Sequence, residues 1–323
     1  MRNRVVVVGS VNQDLVVSAD RIPRPGETVT GSDFQYFAGG KGANQAVTAA
    51  RLGASVSMIA KLGDDAFSAT LRQGLEREGV DTSAIKAMSG CSGIAVIAKD
   101  PAGENTIVVV AGANGKLAPV DLEENLHLIR DAGIVLCQLE IPLETVEYLA
   151  ILTERFGVPM MLDPAPARAL RPDLLRRIEW VTPNETELWH LLALPEREIP
   201  EAALPEAAAQ LSRHGARNVI IKLGSRGCFL SLADGRRKLV PPFRVQAIDT
   251  TAAGDVFNGA FATCLMEGKD PFSCAAFASA AAAISVTRAG AQASVPTRAE
   301  TLRFMAAQSS GALNAITVTH DQQ

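Results

Sequence analysis

Short apolar segments alternate with longer helical segments along most of this chain. The run at residues 5–9 consists of four valines and a glycine, which is typical of a strand buried on both faces. Further strands are predicted at 55–61, 134–139, 159–163, 180–182, 218–223 and 227–232, and helices at 43–52, 66–78, 143–156, 206–214, 253–267, 271–286 and 297–307. This alternation predicts an α/β fold of three layers, in which a mostly parallel central sheet has helices on both faces.

Two stretches depart from this alternation. Residues 14–37 and 93–110 have the pattern of short strands and turns without a helix, and together they are predicted to form a small β-sheet that projects from the main body. With 323 residues, of which 47% are apolar, the chain is long enough for one large domain or for two. Residues 308–323 lack a strong periodic pattern and are predicted to be a loose tail.

Charge and cysteine content restrict the function classes. The net charge is −4 and no block of lysine and arginine occurs, so binding to nucleic acid or to an anionic membrane has no electrostatic support. The five cysteines are scattered and contain no Cys-x-x-Cys pair, which argues against a disulfide framework or a zinc site. No apolar run reaches transmembrane length. We therefore expect a cytoplasmic protein.

The most informative segment is 249–255, which reads Asp-Thr-Thr-Ala-Ala-Gly-Asp and leads directly into a predicted helix. A turn of small residues at a helix start leaves backbone N–H groups free, and together with the helix dipole these groups form an anion hole. Asp255 could cap the helix, or it could act as a general base beside the place where negative charge gathers. Phosphoryl transfer needs both an anion hole and such a carboxylate.

Polar residues also follow the first strand and enter the first helix. Asn12 and Asp14 are two positions apart, so in an extended segment they share one face and could grip neighbouring hydroxyls, although an Asx turn explains them equally well. The loop 39–44 reads Gly-Gly-Lys-Gly-Ala-Asn, which allows the backbone to approach a ligand closely. This loop fits neither the Walker A nor the Gly-x-Gly-x-x-Gly spacing.

Three later positions have structural as well as functional interpretations. Glu140 ends a predicted strand and could bind a ligand or cap the helix that follows. Asn184 and Glu187 have the spacing of a capping box, but acidic side chains here could also hold hydrated Mg²⁺. The turn at 222–227 fits a hairpin, or a place where a nucleotide lies over glycine backbone.

The segments 39–44 and 249–255 resemble the two signature regions of the ribokinase-like (PfkB) carbohydrate kinases. The resemblance extends from residue 5 to about residue 304 with the motifs in the same order, and segments 11–14 and 286–296 are most similar to the ribokinase branch of that family. It implies a ribokinase-like α/β/α domain at 1–307. The β-rich segments would then form a lid over the sugar, and this lid would also be the contact of a homodimer.

The resemblance further implies that ATP phosphorylates D-ribose at the 5-hydroxyl, with Asp255 as the general base. The implied positions for the anion hole and the reacting group are Ala252, Ala253, Gly254 and Asp255. Those implied for the sugar are Asn12, Asp14, Gly39, Gly40, Lys41, Asn44, Glu140 and Asp255. Those implied for ATP are Asn184, Lys222, Gly224, Ser225, Gly227, Gly254 and Ser279.

Two cations are implied as well. The positions that match an activating monovalent-cation site, usually for K⁺, are Asp249, Thr251, Ser285, Arg288, Gly290 and Ser294. Glu187 belongs to an Asn-x-x-Glu element that the family links to Mg²⁺. The chain departs from the family at Ser279, where members can carry a histidine near the adenine, so one contact to the base differs.

Other functions stay open at this point. The chain could be a kinase of the same family for 2-deoxyribose, another pentose, fructose or a nucleoside such as adenosine. It could also be an inactive regulator that binds sugar, but the intact turn at 252–255 with its aspartate argues against a dead enzyme. Relative kcat/KM values for ribose, deoxyribose and adenosine separate the kinases, because an unpaired polar group in the site rejects a sugar that lacks its hydroxyl.

Overall fold

The computed structural model of the chain describes residues 3–102 and 104–318. In chain order the strands are β1 (Arg4–Val8), β2 (Asn12–Ala19), β3 (Gly31–Gly39), β4 (Ser55–Leu62), β5 (Val80–Asp81), β6 (Ile85–Ala87), β7 (Gly93–Lys99), β8 (Asn105–Val110), β9 (Ile134–Gln138), β10 (Met160–Asp163), β11 (Trp180–Val181), β12 (Asn218–Lys222), β13 (Cys228–Ser231) and β14 (Arg237–Val240). The helices are α1 (Lys41–Arg51), α2 (Ser68–Arg77), α3 (Pro119–Glu123), α4 (Leu126–Arg130), α5 (Leu143–Phe156), α6 (Pro172–Leu175), α7 (Glu185–Leu191), α8 (Leu204–Arg213), α9 (Ala253–Met266), α10 (Pro271–Ser285) and α11 (Arg298–Val318).

The main sheet has the strand order β14-β13-β12-β11-β10-β9-β1-β4-β5, and β6 pairs with β4 outside this path. Every pair from β12 to β5 is parallel, whereas β13 and β14 join the edge in antiparallel orientation. The predicted fold, with a mostly parallel central sheet and helices on both of its faces, is confirmed. Because parallel strands place their carboxyl ends at one edge, the segments that follow β1, β9, β10 and β12 meet there.

The central strand β1 explains why the sheet needs two helical layers. All four of its valines are fully buried. Val6 and Val8 join one apolar core, which also contains Leu149 of α5, whereas Val5 and Val7 join a second core on the opposite face with Phe261 of α9. Successive side chains of a strand point to opposite faces, so a run of four valines is stable only when both faces are covered.

The small second sheet predicted from the β-rich segments is also confirmed. Its order is β3-β2-β7-β8, with β2 antiparallel to β3 and parallel to β7. Directly paired residues share a face, so the row that contains Asp14 lies on one side of this sheet. The row Tyr36, Leu15, Val96 and Val108 lies on the other side. We call this sheet the lid sheet, and its first side the inner face.

Some elements differ from the sequence prediction. The helix predicted at 297–307 continues as α11 to Val318, which places helix in part of the segment expected to be a loose tail. Alanine and leucine at 306–315 favour this continuation. Residues 319–323 of that predicted tail, and Gly103 within the predicted β-segment 93–110, lie outside the described residues. The short elements β5, β6, β14, α3, α4 and α6 were not predicted. The three strands lack the apolar run that identified β10, β11 and β13, and the three helices are too short to show a helical period.

Candidate active site

The signature segment 249–255 forms the start of α9, and its backbone explains the predicted anion hole. Ala252 precedes the helix with φ of 60°, in the left-handed region that residues other than glycine rarely adopt. No side chain caps this helix start. Ala253 N–H donates to Thr250 O at 3.3 Å in this turn, and the N–H groups of Gly254 and Asp255 have no partner within the helix.

Asp255 lies in the first turn of α9 and is 4% exposed. Its Oδ2 atom accepts a hydrogen bond of 2.9 Å from Asn44 Nδ2, and its Oδ1 atom accepts one of 3.1 Å from Gln45 Nε2. Both donors belong to α1, so these contacts hold the carboxylate across the interface between two helices. Of the two interpretations of Asp255, a helix cap and a functional carboxylate, this geometry favours the second.

Burial raises the pKa of Asp255, and the neighbouring Asp163 raises it further, while Lys41 opposes both. For Lys41, burial lowers the pKa of the ammonium group, but the surrounding carboxylates of Asp255, Asp163 and Glu140 outweigh it and raise the pKa overall. Lys41 therefore stays protonated and supplies the positive charge that these buried carboxylates need. The site thus places several carboxylates around Lys41, and Lys222 pairs with one of them, Asp163, at 2.9 Å.

The predicted sugar-binding residues come together on one side of Asp255. Asp14 lies against Gly39, where a Cβ atom would stand 2.2 Å from Asp14 Oδ2, so no larger residue fits at 39 without moving that carboxylate. Gly40 has φ of 89°, and a Cβ atom there would stand 2.7 Å from the backbone nitrogen of Asn12. Both glycines let β3 pass close to β2, whereas the sequence analysis assigned the glycine-rich loop to the close approach of a ligand.

Burial raises the pKa of Asp14 to about 7, and the charges of Glu140 and Asp255 add to this effect. Glu140 does not cap the helix that follows it. Its Oε2 atom accepts hydrogen bonds from Lys41 N at 3.1 Å and from Ser10 Oγ at 2.5 Å. These bonds connect the ends of β9 and β1 to the start of α1, beside the inner face of the lid sheet.

Asn12 is held by a residue that the sequence analysis missed. Asn114 Nδ2 donates to Asn12 Oδ1 at 2.7 Å, and Asn114 Oδ1 accepts from Val11 N at 2.9 Å. Asn114 is 1% exposed and lies in a short 3-10 helix, Gly112–Lys116. Its partners are about 100 positions away in the chain, so no local pattern could have identified it.

On the other side of Asp255, a cavity of about 500 Å³ has walls formed by the turn after β12 and the start of α7. The predicted nucleotide positions among its lining residues are Asn184, Lys222, Gly224 and Ser225. Lys222 Nζ lies 2.9 Å from Asp163 Oδ1, and it lies 3.4 Å from the place that a Cβ atom on Gly254 would take. Lys222 therefore connects this cavity with the start of α9.

Gly227 and Ser279, two other predicted nucleotide positions, lie in surroundings different from those of the residues that line the cavity. Gly227 has φ of 90°, and a Cβ atom there would stand 2.2 Å from Val240 O, so this glycine is needed for the close approach of β14. Ser279 lies on α10, with its Oγ atom 3.8 Å from Cys228 Sγ at the start of β13. The residues that line the cavity include neither of these two positions.

The predicted capping box at the start of α7 is confirmed. Asn184 Oδ1 accepts from Glu187 N at 2.8 Å, and Glu187 Oε2 accepts from Asn184 N at 2.8 Å. Burial raises the pKa of Glu187, the charge of Lys222 opposes it, and Asp163 raises it further. Within the described residues, no group of three or more histidine, cysteine, aspartate or glutamate side chains could hold a metal ion.

The positions matched to a monovalent-cation site lie in two adjacent loops. Asp249 Oδ1 accepts from Thr251 N and Asp249 Oδ2 accepts from Gly290 N, both at 2.9 Å. Burial raises the pKa of Asp249, but these hydrogen bonds outweigh it and lower the pKa overall. The Arg288 side chain pairs with Glu300 at 2.6 Å, so of this residue only the backbone oxygen could act as a ligand.

Two buried serines complete this loop region. Ser285 and Ser294 are each 1% exposed, and their hydroxyl groups donate to the carbonyl oxygens of Ala282 and Ala291. Each hydroxyl oxygen keeps lone pairs for a ligand. The donor atoms here are carboxylate, hydroxyl and carbonyl oxygens, which suit a hard cation.

Two further residues in contact with the site were not assigned a role from the sequence. Gln45 Nε2 bonds to Asp163 Oδ2 at 3.0 Å as well as to Asp255, and Gln138 Nε2 donates to Gln45 Oε1 at 2.7 Å. Gln45 directly follows the glycine-rich loop and Gln138 ends β9. Their polar side chains at the carboxyl edge of the sheet were the signal that could have identified them.

Comparisons with known proteins identify the family to which the chain is similar. Residues 2–298 match the model of the pfkB family of carbohydrate kinases. The chain is 44% identical over 306 residues to a ribokinase of Haemophilus influenzae, covering 94% of this chain and 99% of the relative. It is 35% identical to a deoxyribokinase of Salmonella typhi, over 90% of this chain and 95% of the relative. A structure of Arabidopsis thaliana ribokinase complexed with ribose and ATP superposes with a TM-score of 0.88 at 35% identity, covering 94% of this chain and 99% of that one.

Proposed function

The chain belongs to the pfkB family of carbohydrate kinases, and we propose that it transfers the γ-phosphoryl group of ATP to the 5-hydroxyl of D-ribose. One observation carries the proposal in the structure. The Asp255 carboxylate interacts with Asp14 on one side, and the adjacent Gly254 lies beside Lys222, which lines the cavity, so Asp255 stands at the boundary of two binding regions. A two-substrate reaction with one general base requires that arrangement.

In the proposed reaction, a carboxylate oxygen of Asp255 takes the proton of the sugar hydroxyl. The hydroxyl oxygen forms a bond to the γ-phosphorus, the bond from that phosphorus to the β,γ-bridging oxygen breaks, and ADP leaves with the electron pair. Burial of Asp255 supports this role, because a carboxylate with a raised pKa is a stronger base. Asn44 and Gln45 fix its direction.

Charge that develops on the transferring group needs stabilisation. We assign this role to the first N–H groups of α9 at Ala253 and Gly254, in the turn that begins with Ala252, and to the ammonium group of Lys222. Gly254 has no side chain, so the Lys222 ammonium group and the start of α9 enclose a space where phosphate oxygens fit. Fixed dipoles and cations of this kind account for most of the catalysis of phosphoryl transfer.

Two metal ions complete the proposal. Glu187, in the first turn of α7 beside the cavity, would hold Mg²⁺, which prefers carboxylate oxygens and waters. Mg²⁺ would neutralise phosphate charge. K⁺ would be held by oxygens of the loops at 249–251 and 285–294, where it would order the turn that precedes α9.

The lid sheet supports a homodimer. Its outer face carries Tyr36 and Val108, which are 64% and 59% exposed, and Phe34 on the same face is 58% exposed. Several exposed apolar side chains on one face of a sheet are typical of a protein interface. We propose that two lid sheets pack against each other while their inner faces stay directed at the sugar. We also propose a cytoplasmic location, because all five cysteines are free thiols.

The test is a panel of sugars assayed with ATP and Mg²⁺, in K⁺ and in Na⁺, with ADP release as the readout. Ribose should give the highest kcat/KM. 2-Deoxyribose is the second candidate, because the chain is also similar to a deoxyribokinase. A higher kcat/KM for deoxyribose, fructose or adenosine would move the assignment within the family, and no turnover with any of them would favour a regulator that only binds sugar.

A further inference from the structure

Gln45 uses every hydrogen-bonding atom of its side chain within the site. Its Nε2 atom donates to Asp255 Oδ1 at 3.1 Å and to Asp163 Oδ2 at 3.0 Å. Its Oε1 atom accepts from Gln138 Nε2 at 2.7 Å. Gln45 is 1% exposed and Gln138 is fully buried, so water does not compete for these bonds. One amide thus joins two buried carboxylates from different elements.

The orientation of the Gln45 amide follows from chemistry. Ionised carboxylates only accept hydrogen bonds, so the nitrogen of Gln45 must face Asp255 and Asp163, and its oxygen must face away from them. Gln138 then has to present its own nitrogen to that oxygen. The reverse orientation would place an amide oxygen against two carboxylates, which is unfavourable in a buried site.

A neutral amide is well suited to the position between the carboxylates of Asp255 and Asp163. A lysine or arginine between the two carboxylates would neutralise Asp255 and weaken it as a base, whereas an apolar residue would leave both carboxylates without a partner. The charged groups that surround Asp255 are Lys41, Asp163 and Asp14, and Lys222 pairs with Asp163 on its far side. Gln45 therefore fixes the direction of the base without changing its charge.

We propose that Gln45 is a positioning residue for phosphoryl transfer, which holds Asp255 and Asp163 at a fixed separation and is itself oriented by Gln138. This inference rests on the proposed function, because it assumes that Asp255 is the general base. It also links the base to Lys222: Asp255, Gln45, Asp163 and Lys222 form a continuous hydrogen-bonded chain that ends at the cavity.

The experiment compares the wild type with Gln45→Met, which keeps the length of the side chain but removes both donors. The single-turnover rate of phosphoryl transfer should fall about 10- to 100-fold, as expected for the loss of a hydrogen bond to a charged group. KM values for sugar and ATP should change less than about threefold. Because the lost N–H group favoured ionised Asp255, the acid limb of the rate profile should move to higher pH. A normal rate with an unmoved acid limb would overturn the proposal.

Gln138→Met provides an independent test if Gln45→Met does not fold. It should slow transfer about 3- to 10-fold in the wild type and move the acid limb in the same direction. Where Gln45→Met does fold, Gln138→Met should have no further effect in that background, because it acts through Gln45. Additive losses in the double variant would contradict the orienting role. Asn218→Leu is the matched control: it removes a buried amide at the amino end of β12 and should leave the pH profile unchanged.

A carbon-13 NMR titration of the aspartate side chains separates this inference from the proposed function. In Gln45→Met the Asp255 carboxyl should titrate at higher pH than in the wild type, whether or not any sugar is phosphorylated. If the wild type phosphorylates no sugar but the titration shifts, the proposed function fails and the positioning contact stands. If the wild type is an active ribose kinase and the titration does not shift, only the role of Gln45 is wrong.

Discussion

Asn44 Nδ2 lies 2.9 Å from Asp255 Oδ2, and this hydrogen bond joins residues that are 211 positions apart in the chain. Asn44 ends the glycine-rich loop at the start of α1, and Asp255 follows the anion-hole turn at the start of α9. The two signature regions therefore form one site because α1 and α9 pack side by side. The buried carboxylate is fixed by the helix that also carries residues predicted to bind sugar.

Asp14→Asn should stabilise the folded protein at pH 8 and weaken its binding of ribose. The folded pKa of Asp14 is about 7, against an ordinary value of 3.8, so between about pH 4 and pH 7 the folded chain binds more protons than the unfolded chain. The contribution of Asp14 to stability consequently falls as the pH rises through this range. The variant should lose this slope and gain about 1–2 kcal/mol at pH 8.

The same variant should bind ribose about 10- to 100-fold more weakly, because a charged acceptor for sugar hydroxyls is lost. Thermal unfolding from pH 4 to pH 8 and calorimetric titration with ribose measure the two effects. Asp33→Asn, a change of an exposed acid on β3, is the control and should alter neither. Wild-type ribose affinity in Asp14→Asn would exclude Asp14 from the sugar site.

Gly254→Ala should lower the activity of the protein without lowering its stability. A methyl group there would lie 3.4 Å from Lys222 Nζ, which is an ordinary contact, so the fold has room for it. The same methyl group would occupy the space proposed for phosphate oxygens, and kcat should fall by about 100-fold or more. Gly74→Ala on α2, where a Cβ atom meets nothing closer than 4.0 Å, should keep full activity. Full activity in Gly254→Ala would show that the anion hole lies elsewhere.

The lid sheet provides a matched pair of variants for the homodimer. Val108 lies on the outer face and Ile107, the preceding residue of β8, lies on the inner face; they are 59% and 53% exposed. Val108→Lys should shift the protein to monomers in sedimentation experiments, because it buries a charge in the proposed interface. Ile107→Lys should remain dimeric. Identical sedimentation of both variants would argue against the lid contact.

Removal of monovalent cations tests the loops at 249–251 and 285–294. We expect kcat to fall about 10-fold when K⁺ is replaced by a bulky organic cation, because the turn before α9 loses a ligand that orders it. Asp249→Asn should abolish the response to K⁺, whereas Asp234→Asn in the hairpin between β13 and β14 should retain it. Equal rates with and without K⁺ in the wild type would exclude a functional cation site.

The sequence was sufficient to predict the fold, because long apolar strands and amphipathic helices have clear periods. The valines of β1 indicated a strand buried on both faces, and two core clusters cover those faces in the structure. The strands β5 and β14 were missed because charged residues interrupt them, whereas β11 and β13, of the same lengths, contain unbroken apolar runs. It also ended the last helix too early, because the absence of an amphipathic pattern does not prevent helix formation.

The site could be predicted only in part. Residues within the two signature segments were identified directly, since a resemblance compares local sequence. Asn114 and Gln138 could not be assigned roles in that way, because each acts on a residue that lies about 100 positions away in the chain. The position of Gln138 at the carboxyl end of a strand could mark it as a site residue, but its partner, like that of Asn114, depends on tertiary packing and leaves no local signal.

The most direct test of the account is the single-turnover rate of Asp255→Asn with ribose and ATP, together with calorimetric binding of ribose to the same variant. Asparagine keeps the shape of the side chain but cannot accept the hydroxyl proton. We expect the rate to fall by about 10²- to 10⁴-fold while the dissociation constant of ribose changes by less than about threefold. Transfer at a near wild-type rate would show that Asp255 is not the general base and would contradict the proposed mechanism.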